Sequence, residues 1–294
     1  MDFEIIAGTP RGGGQDRTAR ALASVIDGRV TISNVSGRGG GNGWDLLARR
    51  AGAENLLAVS SPTLITNALV GEASIDHRDL TPLAMLYTEY SAIVVSSDST
   101  WRDHKEALRG LAGGTLTVSL ATALGSMNHL VLAEIATHLG TPVRSLPIRV
   151  FESAPQALDD VEAGNGDIAI VSAVSAVPGL SDGALTAIAV TAPVRLGGVF
   201  SSTPTCSELL VPCVRGTWRG VVGPPGLDPD HVAVWEETLS AAISTGRWQE
   251  ILEENLWVDS YLGPGPTGRF LEGERDELGA LLEQVGLIDP GDDG

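Results

Sequence analysis

Residues 3–34 read FEIIAGTPRGGGQDRTARALASVIDGRVTISN, and this stretch decides the class of fold. Residues 3–7 form a short apolar run typical of a strand, and residues 30–34 form a second one. Between them, the apolar residues of 19–26 recur at helical spacing. A strand, a glycine-rich loop, a helix and a further strand in this order indicate an α/β fold with a mostly parallel sheet.

The same alternation continues to the end of the chain. Further strands are predicted at 56–59, 92–95, 116–120, 168–171, 185–190 and from residue 220. Further helices are predicted over 44–50, 128–139, 156–162, 229–245 and 268–285. Because 294 residues are long for one core, we expect two lobes: a first of 1–95 with 222–294, and a second of 96–221. Residues 289–294 read as a frayed tail.

The charge balance narrows the class of partner. The chain has 37 acidic and 19 basic residues, a formal net charge of −18, and no basic patch with interleaved aromatic residues. We therefore expect no nucleic-acid partner. An acidic protein that binds anions must use local fields, which directs attention to helix N-termini and single arginines. The sequence has no run of 18 apolar residues, so no membrane span is predicted.

The cysteines and histidines do not indicate a metal or cofactor site. Cys206 and Cys213 are the only cysteines and have no histidine nearby, and the five histidines lack ligand spacing. The two cysteines either form a disulfide across a short loop or remain free and buried, and the sequence leaves both open.

Three strand-to-helix junctions are rich in small residues, at 11–16, 36–43 and 122–128. Small residues leave backbone N–H groups bare, and bare amides at the positive end of a helix bind anions. Glycines can also serve only to allow tight turns. Three such loops in one chain favour the anion site. Asp16, in the first of them, either complements the helix dipole or orients water or a ligand hydroxyl.

Nucleotide and hydrolase motifs are incomplete in the same loops. Residues 37–43 do not form a clean GxGxxG, and the chain has no phosphate-binding loop with lysine. Residues 125–128 lack the second glycine of a nucleophile elbow. A hydrolase or acyl-transfer enzyme using Ser126 and His129 remains the alternative function.

The residues then resemble a known family, the tripartite tricarboxylate transporter receptors, also called Bug-type solute-binding proteins. Residues 11–20, RGGGQDRTAR, are similar to the family's PGGxxDxxAR loop, and 32–40 resemble its V-x-N-x-x-G-x-G-G pattern. Further along, 164–168 and 204–208 resemble its G-G-d-v-d and PTxxE elements, and 218–226, WRGVVGPPG, resemble WRGvvaPpG. Each piece is weak alone, but their order and spacing together are specific.

The resemblance implies a periplasmic-binding-protein-like fold of type II, with two Rossmann-like lobes and a cleft between them. It implies a monomeric receptor, not an enzyme, that binds a small mono-, di- or tricarboxylate and delivers it to the membrane components of a tripartite transporter. It also implies an extracytoplasmic protein, periplasmic or lipid-anchored, whose leader is absent from this sequence. A cytoplasmic sensor of the same fold is a third interpretation.

The predicted site combines loops from both lobes. One ligand carboxylate is expected on the amides of Gly12 and Gly13, with the other end near Gly125 and Ser126. Arg11 replaces the family's usual proline and is predicted to set ligand preference. The full set of predicted ligand-binding residues is Thr9, Pro10, Arg11, Gly12, Gly13, Gln15, Asp16, Ser60, Thr63, Tyr90, Ala123, Gly125, Ser126, Asn128 and Ser172.

Overall fold

The computed structural model of the protein describes residues 2–121 and 123–289 and divides the chain into two compact units. The first unit takes the described parts of Met1–Thr88, Thr217–Ala280 and Ile288–Gly294, and the second takes Glu89–Gly216 and Leu281–Leu287. Thr122, and the predicted tail beyond Asp289, lie outside the described residues.

The sequence analysis placed the borders after residue 95 and before residue 222, whereas the structure divides the chain earlier at both points. Continuous strands run through both borders, so composition does not mark them.

The first half of the chain contains these elements: β1 (Asp2–Ala7), α1 (Gly14–Ala23), β2 (Arg29–Asn34), α2 (Gly41–Ala48), β3 (Leu56–Ser60), α3 (Thr63–Leu69), β4 (Thr81–Ser96), α4 (His104–Ala112), β5 (Val118–Ala121) and α5 (Met127–His138). The second half contains β6 (Ile148–Phe151), α6 (Ala154–Glu162), β7 (Ile168–Ser172), α7 (Ala173–Ser181), β8 (Leu185–Val190), β9 (Gly216–Gly223), α8 (Pro229–Ile243), α9 (Gly246–Glu254), β10 (Trp257–Leu262) and α10 (Pro264–Val285).

The sheet of the first unit has a parallel centre. β1 lies between β2 and β3 and is parallel to both, while β9 joins β3 in the antiparallel sense, with Ser60 opposite Gly220. Beyond β9 come β4 and then β10. All five residues of β3 are buried, as expected for a strand covered on both faces. The main core packs Leu22, Trp235 and Trp248 against this sheet.

The second unit repeats the arrangement. β5 lies between β6 and β7, parallel to both, and β7 and β8 each pair with the last part of β4 in the antiparallel sense. The four residues of β5 are buried, and α5, which follows it, is buried along most of its length. In each unit a central parallel strand therefore ends at a loop that starts a helix.

The predicted strands and helices are found, with several changes of length. The helix predicted over 229–245 ends at Ile243, and α10 begins at Pro264 instead of residue 268. Of the long strand β4, only 92–95 was predicted. Within 2–121 and 123–289, no helix is both long and apolar enough to cross a membrane.

Candidate functional site

The loop between β1 and α1 is closed by its own groups. The amide of Gly12 donates to a carboxylate oxygen of Asp16 at 2.8 Å, and that of Gly13 donates to the carbonyl of Pro10 at 2.9 Å. The amide of Asp16 donates to the Thr9 hydroxyl at 3.1 Å. A Cβ on Gly13 would lie 2.7 Å from the Thr9 side chain, so a glycine is needed for this closure.

The two amides expected to hold a carboxylate, Gly12 and Gly13, are therefore already occupied. The unused donors lie slightly further along, because the N–H groups of Gly14 and Gln15 have no acceptor among the described residues. Among the residues that the structure describes, no side chain caps α1, whereas Asp103 caps α4 through its carboxylate. The open end of α1 carries the partial positive charge of the helix.

Asp16 is fully buried and braces this loop. Its carboxylate accepts hydrogen bonds from the Gly12 amide, from Asn34 at 2.9 Å, and from two guanidinium nitrogens of Arg20 at 2.9 Å each. The Arg20 hydrogen bonds outweigh the opposing effect of burial and lower the pKa of Asp16 to about 2. All of these partners are protein groups, so a ligand contact by Asp16 stays a prediction.

Gln15 joins three loops of the first unit. Its side-chain oxygen accepts the amide of Gly8 at 2.8 Å, and its side-chain nitrogen donates to the carbonyl of Gly39 at 3.2 Å and to the hydroxyl of Ser61 at 3.4 Å. Thr63 donates to the same Gly39 carbonyl at 2.8 Å. The loops that follow β1 and β3 and the loop that precedes α2 are thereby held together.

The other predicted residues of this set vary in exposure. Ser60 is buried at the end of β3, opposite Gly220. Pro10 and Arg11 are exposed in the loop, and Tyr90 is buried on β4 in the second unit. Their contact with a ligand remains a prediction.

Arg219 was not among the predicted site residues, although it lies against the start of α1. A Cβ on Gly14 would lie 2.6 Å from the Nη2 atom of Arg219. Arg219 belongs to β9, far along the chain, so no local pattern in the first loop signals its presence.

The loop before α5 in the second unit is closed in a similar way. The amide of Gly125 donates to the Nδ1 atom of His129 at 2.9 Å, and the amide of Ser126 donates to the carbonyl of Ala123 at 3.1 Å. No side chain caps α5, and within the described chain its first two residues have N–H groups without an acceptor. Here too the unused donors follow the predicted amides.

Ser91 connects two predicted residues of the second unit. Its hydroxyl donates to the side-chain oxygen of Asn128 at 3.1 Å, and it lies opposite Ser172 in the pairing of β4 with β7. The amide of Ser91 donates to the Thr191 hydroxyl at 3.0 Å. Ser172 itself shares a hydrogen bond with Ser175 at 2.8 Å. Sequence reasoning missed Ser91 and Thr191, because neither lies in a glycine-rich loop.

The geometry does not favour the hydrolase alternative. The hydroxyl of Ser126 has its recorded partner in the carbonyl of Ala121, at 3.5 Å, and within the described residues no hydrogen bond joins it to His129. Burial lowers the pKa of His129, and its Nδ1 already accepts a backbone amide. A serine nucleophile requires a base within hydrogen-bond reach.

Cys206 and Cys213 are free, buried thiols, so the alternative with a disulfide does not describe this structure. Burial raises the pKa of Cys206 to about 12 and raises that of Cys213 as well. Across the described residues there is no cluster of three or more histidine, cysteine or acidic side chains suited to a metal ion.

The chain is similar to known proteins over most of its length. A sequence profile for the tripartite tricarboxylate transporter family receptor, TctC, matches residues 16–287. A UPF0065 protein from the tcbD–tcbE intergenic region of Pseudomonas sp. (strain P51) is 28% identical over 256 residues, which cover 83% of this chain and 74% of that protein.

Two solved structures show the fold. A TctC solute-binding protein from Polaromonas, solved without ligand, has a TM-score of 0.81 and 24% identity, covering 96% of this chain and 98% of its own. An R. palustris protein solved with adipate has a TM-score of 0.78 and 19% identity, covering 97% of each chain. The predicted periplasmic-binding-protein fold is confirmed.

Proposed function

The chain belongs to the tripartite tricarboxylate transporter receptor family, and on that premise we propose that it binds a small organic carboxylate at the start of α1. One observation carries the proposal: two N–H groups, of Gly14 and Gln15, are unused at an uncapped helix start. The buried carboxylate of Asp16 and the hydroxyl of Thr9 fix the loop in front of that helix, so the donors are oriented before a ligand arrives.

We further propose that the ligand is captured between the two lobes, with its other end on the second unit. The open start of α5 supports this assignment, since it offers a second set of donors at the end of a parallel strand. Binding energy shared by two lobes favours a closed state over an open one. Such a change is what the membrane components of a transporter would recognise.

The length of the ligand is inferred from a relative. The R. palustris protein solved with adipate has the same fold, and a dicarboxylate has one charged group for each of two helix starts. We therefore propose dicarboxylates as the first class to test, with mono- and tricarboxylates beside them. The receptor would act as an extracytoplasmic monomer without enzymatic activity.

Thermal unfolding in the presence of ligands tests the proposal. We expect millimolar adipate or a related acid to raise the melting temperature, because a ligand that binds only the folded state stabilises it. Neutral sugars and nucleotides serve as controls. Stabilisation by a neutral sugar and by none of the mono-, di- and tricarboxylates would contradict the proposal.

A pair of variants tests the helix start itself. Gly14→Pro removes the N–H donor but suits the first position of a helix, and Gly13 already has the extended conformation that precedes proline (φ −70°, ψ 168°). Gly14→Ala keeps the donor, and both variants place a Cβ against the guanidinium of Arg219, so they displace that side chain alike. We expect the proline variant to bind the acid about tenfold more weakly than the alanine variant. If the alanine variant still binds adipate and the proline variant binds it equally well, the carboxylate lies elsewhere.

Delivery to a transporter needs a separate measurement. Uptake of the labelled acid into vesicles holding the tripartite membrane components should require this protein. Uptake that proceeds equally without it would limit the proposed function to binding.

A further inference from the structure

The guanidinium of Arg219 lies over the first residue of α1. A Cβ built on Gly14 would lie 2.6 Å from Nη2, 3.5 Å from Cζ and 3.7 Å from Nε of Arg219. The side chain therefore fills the space that any other residue at position 14 would need. Both residues belong to the first unit.

Arg219 has no acidic partner there. Within the described part of the chain, its one hydrogen bond is long, 3.4 Å from Nη1 to the carbonyl of Trp218. Its Nε is buried without an acceptor, and no carboxylate among the described residues lies within ion-pair distance. An unsatisfied buried donor destabilises a folded protein, so such a group requires an explanation.

Many other arginines of this chain have a carboxylate partner. The protein has 37 acidic residues for 19 basic ones, so acceptors are plentiful. Arg275, which is mostly buried like Arg219, forms an ion pair with Asp76 at 2.9 Å. The remaining arginines with recorded carboxylate partners are Arg20, Arg38, Arg50, Arg78, Arg149, Arg195, Arg215 and Arg247.

The nearest acid of the loop does not neutralise Arg219. Asp16 is fully buried, and its carboxylate already accepts hydrogen bonds from Gly12, Asn34 and Arg20. The start of α1 therefore has a guanidinium, two unused amides and the helix dipole in one place. All of these favour a negative charge, and no protein group within 2–121 and 123–289 supplies it.

We propose that Arg219 is a ligand-binding residue that selects for anionic ligands, and that it binds the same carboxylate as the amides of Gly14 and Gln15. The inference rests on the proposed function of carboxylate binding. A planar guanidinium matches a carboxylate with two parallel hydrogen bonds, which a neutral amide or ester cannot accept with equal strength. Arg219 then selects ligands that have a negative charge at the end that binds the start of α1.

Calorimetric titration with adipate and with its neutral diamide tests the assignment. We expect Arg219→Met to weaken adipate binding at least about tenfold, and Arg219→Lys to restore part of the affinity. The preference for adipate over the diamide should fall in the methionine variant. A residue with a merely structural role would change both affinities alike.

Two control variants accompany the titration. Arg49→Met removes an exposed arginine at the end of α2 and should leave the adipate affinity within twofold of the original. Arg11→Met removes the exposed arginine of the loop. If Arg11→Met abolishes the preference for the charged ligand and Arg219→Met leaves it intact, the assignment to Arg219 is wrong.

The stability of the ligand-free protein gives an independent measurement. Because Nε of Arg219 is buried and unpaired, Arg219→Met should keep or raise the melting temperature. If that variant does not fold, Arg219→Gln replaces it in the same titration.

The two proposals fail in different ways. If the original protein binds no dicarboxylate, the proposed function is wrong. If it binds adipate and Arg219→Met does so within twofold with the same selectivity, only the role of Arg219 is refuted.

Discussion

The guanidinium of Arg20 donates two hydrogen bonds to the carboxylate of Asp16, one turn earlier in α1, and each measures 2.9 Å. Asp16 is fully buried, while Arg20 remains partly exposed. The pair anchors the helix to the loop before it, since the same carboxylate also holds the amide of Gly12. Asp16 was among the predicted ligand-binding residues, but both of its carboxylate oxygens accept hydrogen bonds from protein groups.

Replacing Asp16 should destabilise the first unit. Asp16→Asn keeps the shape but presents an N–H group to donors, so at least one buried hydrogen bond is lost. We expect the free energy of unfolding to fall by about 2 kcal/mol at neutral pH. Urea denaturation measures it, with Asp230→Asn, an exposed first-turn acid of α8, as the matched control. A cost no larger than that of the control would contradict the bracing role.

The same variant should reveal a pH dependence. The pKa of Asp16 is about 2 in the folded protein, below the ordinary value of 3.8. Its stabilising contribution is therefore complete above pH 3.8 and is lost as the pH falls through 2. The stability difference between the original protein and Asp16→Asn should shrink between pH 5 and pH 2. A difference that stays constant over this range would be inconsistent with the lowered pKa.

Gln15 should contribute to stability through its three hydrogen bonds. Gln15→Glu removes the donor to Gly39 and Ser61 and places a charge at a buried position. We expect a loss of about 1–3 kcal/mol in chemical denaturation. Gln249→Glu, exposed on α9, is the control and should change stability by less than about 0.5 kcal/mol. Equal effects would argue that Gln15 does not join the loops.

Gly12 should be needed for its backbone conformation alone. Its φ is +87°, and a Cβ there would meet no atom within 4 Å. Gly12→Ala should therefore cost about 1–2 kcal/mol through backbone strain. At Gly246, the first residue of α9, φ is ordinary and a Cβ also has open space, so Gly246→Ala should cost nothing. The free energies of unfolding of the two variants are measured in parallel. Equal values would count against the left-handed conformation of Gly12.

His129 should make the second unit less stable in mild acid. Burial lowers its folded pKa below the ordinary 6.5, so the neutral form is favoured in the folded state. The contribution is complete above pH 6.5 and is lost as the pH falls from there toward the folded pKa. Protonation would also remove the acceptor of the Gly125 amide. As the pH is lowered from 7.5 to 5, the free energy of unfolding should fall more steeply for the original protein than for His129→Gln. Parallel curves would refute this.

The sequence predicted elements where periodicity and composition agree. The strand β1 and the helix α1 follow from the apolar spacing alone, because local pattern and tertiary burial point the same way. β4 was mostly missed, since Pro82 and Glu89 interrupt its apolar character although the strand is buried along most of its length. Tertiary packing, which the local pattern does not contain, decided that element.

The sequence predicts a candidate site as a set of loops, but it does not indicate which atoms of those loops are free to bind a ligand. Glycines at 12–14 directed the prediction to the start of α1. Which amides remain unused depends on the path of the loop, where Asp16 and Pro10 supply acceptors for Gly12 and Gly13. Arg219 reaches the same helix start from β9, and only the folded sheet brings it there.

The two buried thiols make it possible to measure how often the second unit opens. Because burial keeps Cys206 and Cys213 both hidden and protonated, a thiol-reactive dye should label them only when that unit opens. The rate of labelling would then report how readily that unit opens. A ligand that holds the unit closed should slow the labelling, and the measurement needs no mutation because both thiols are native to the chain.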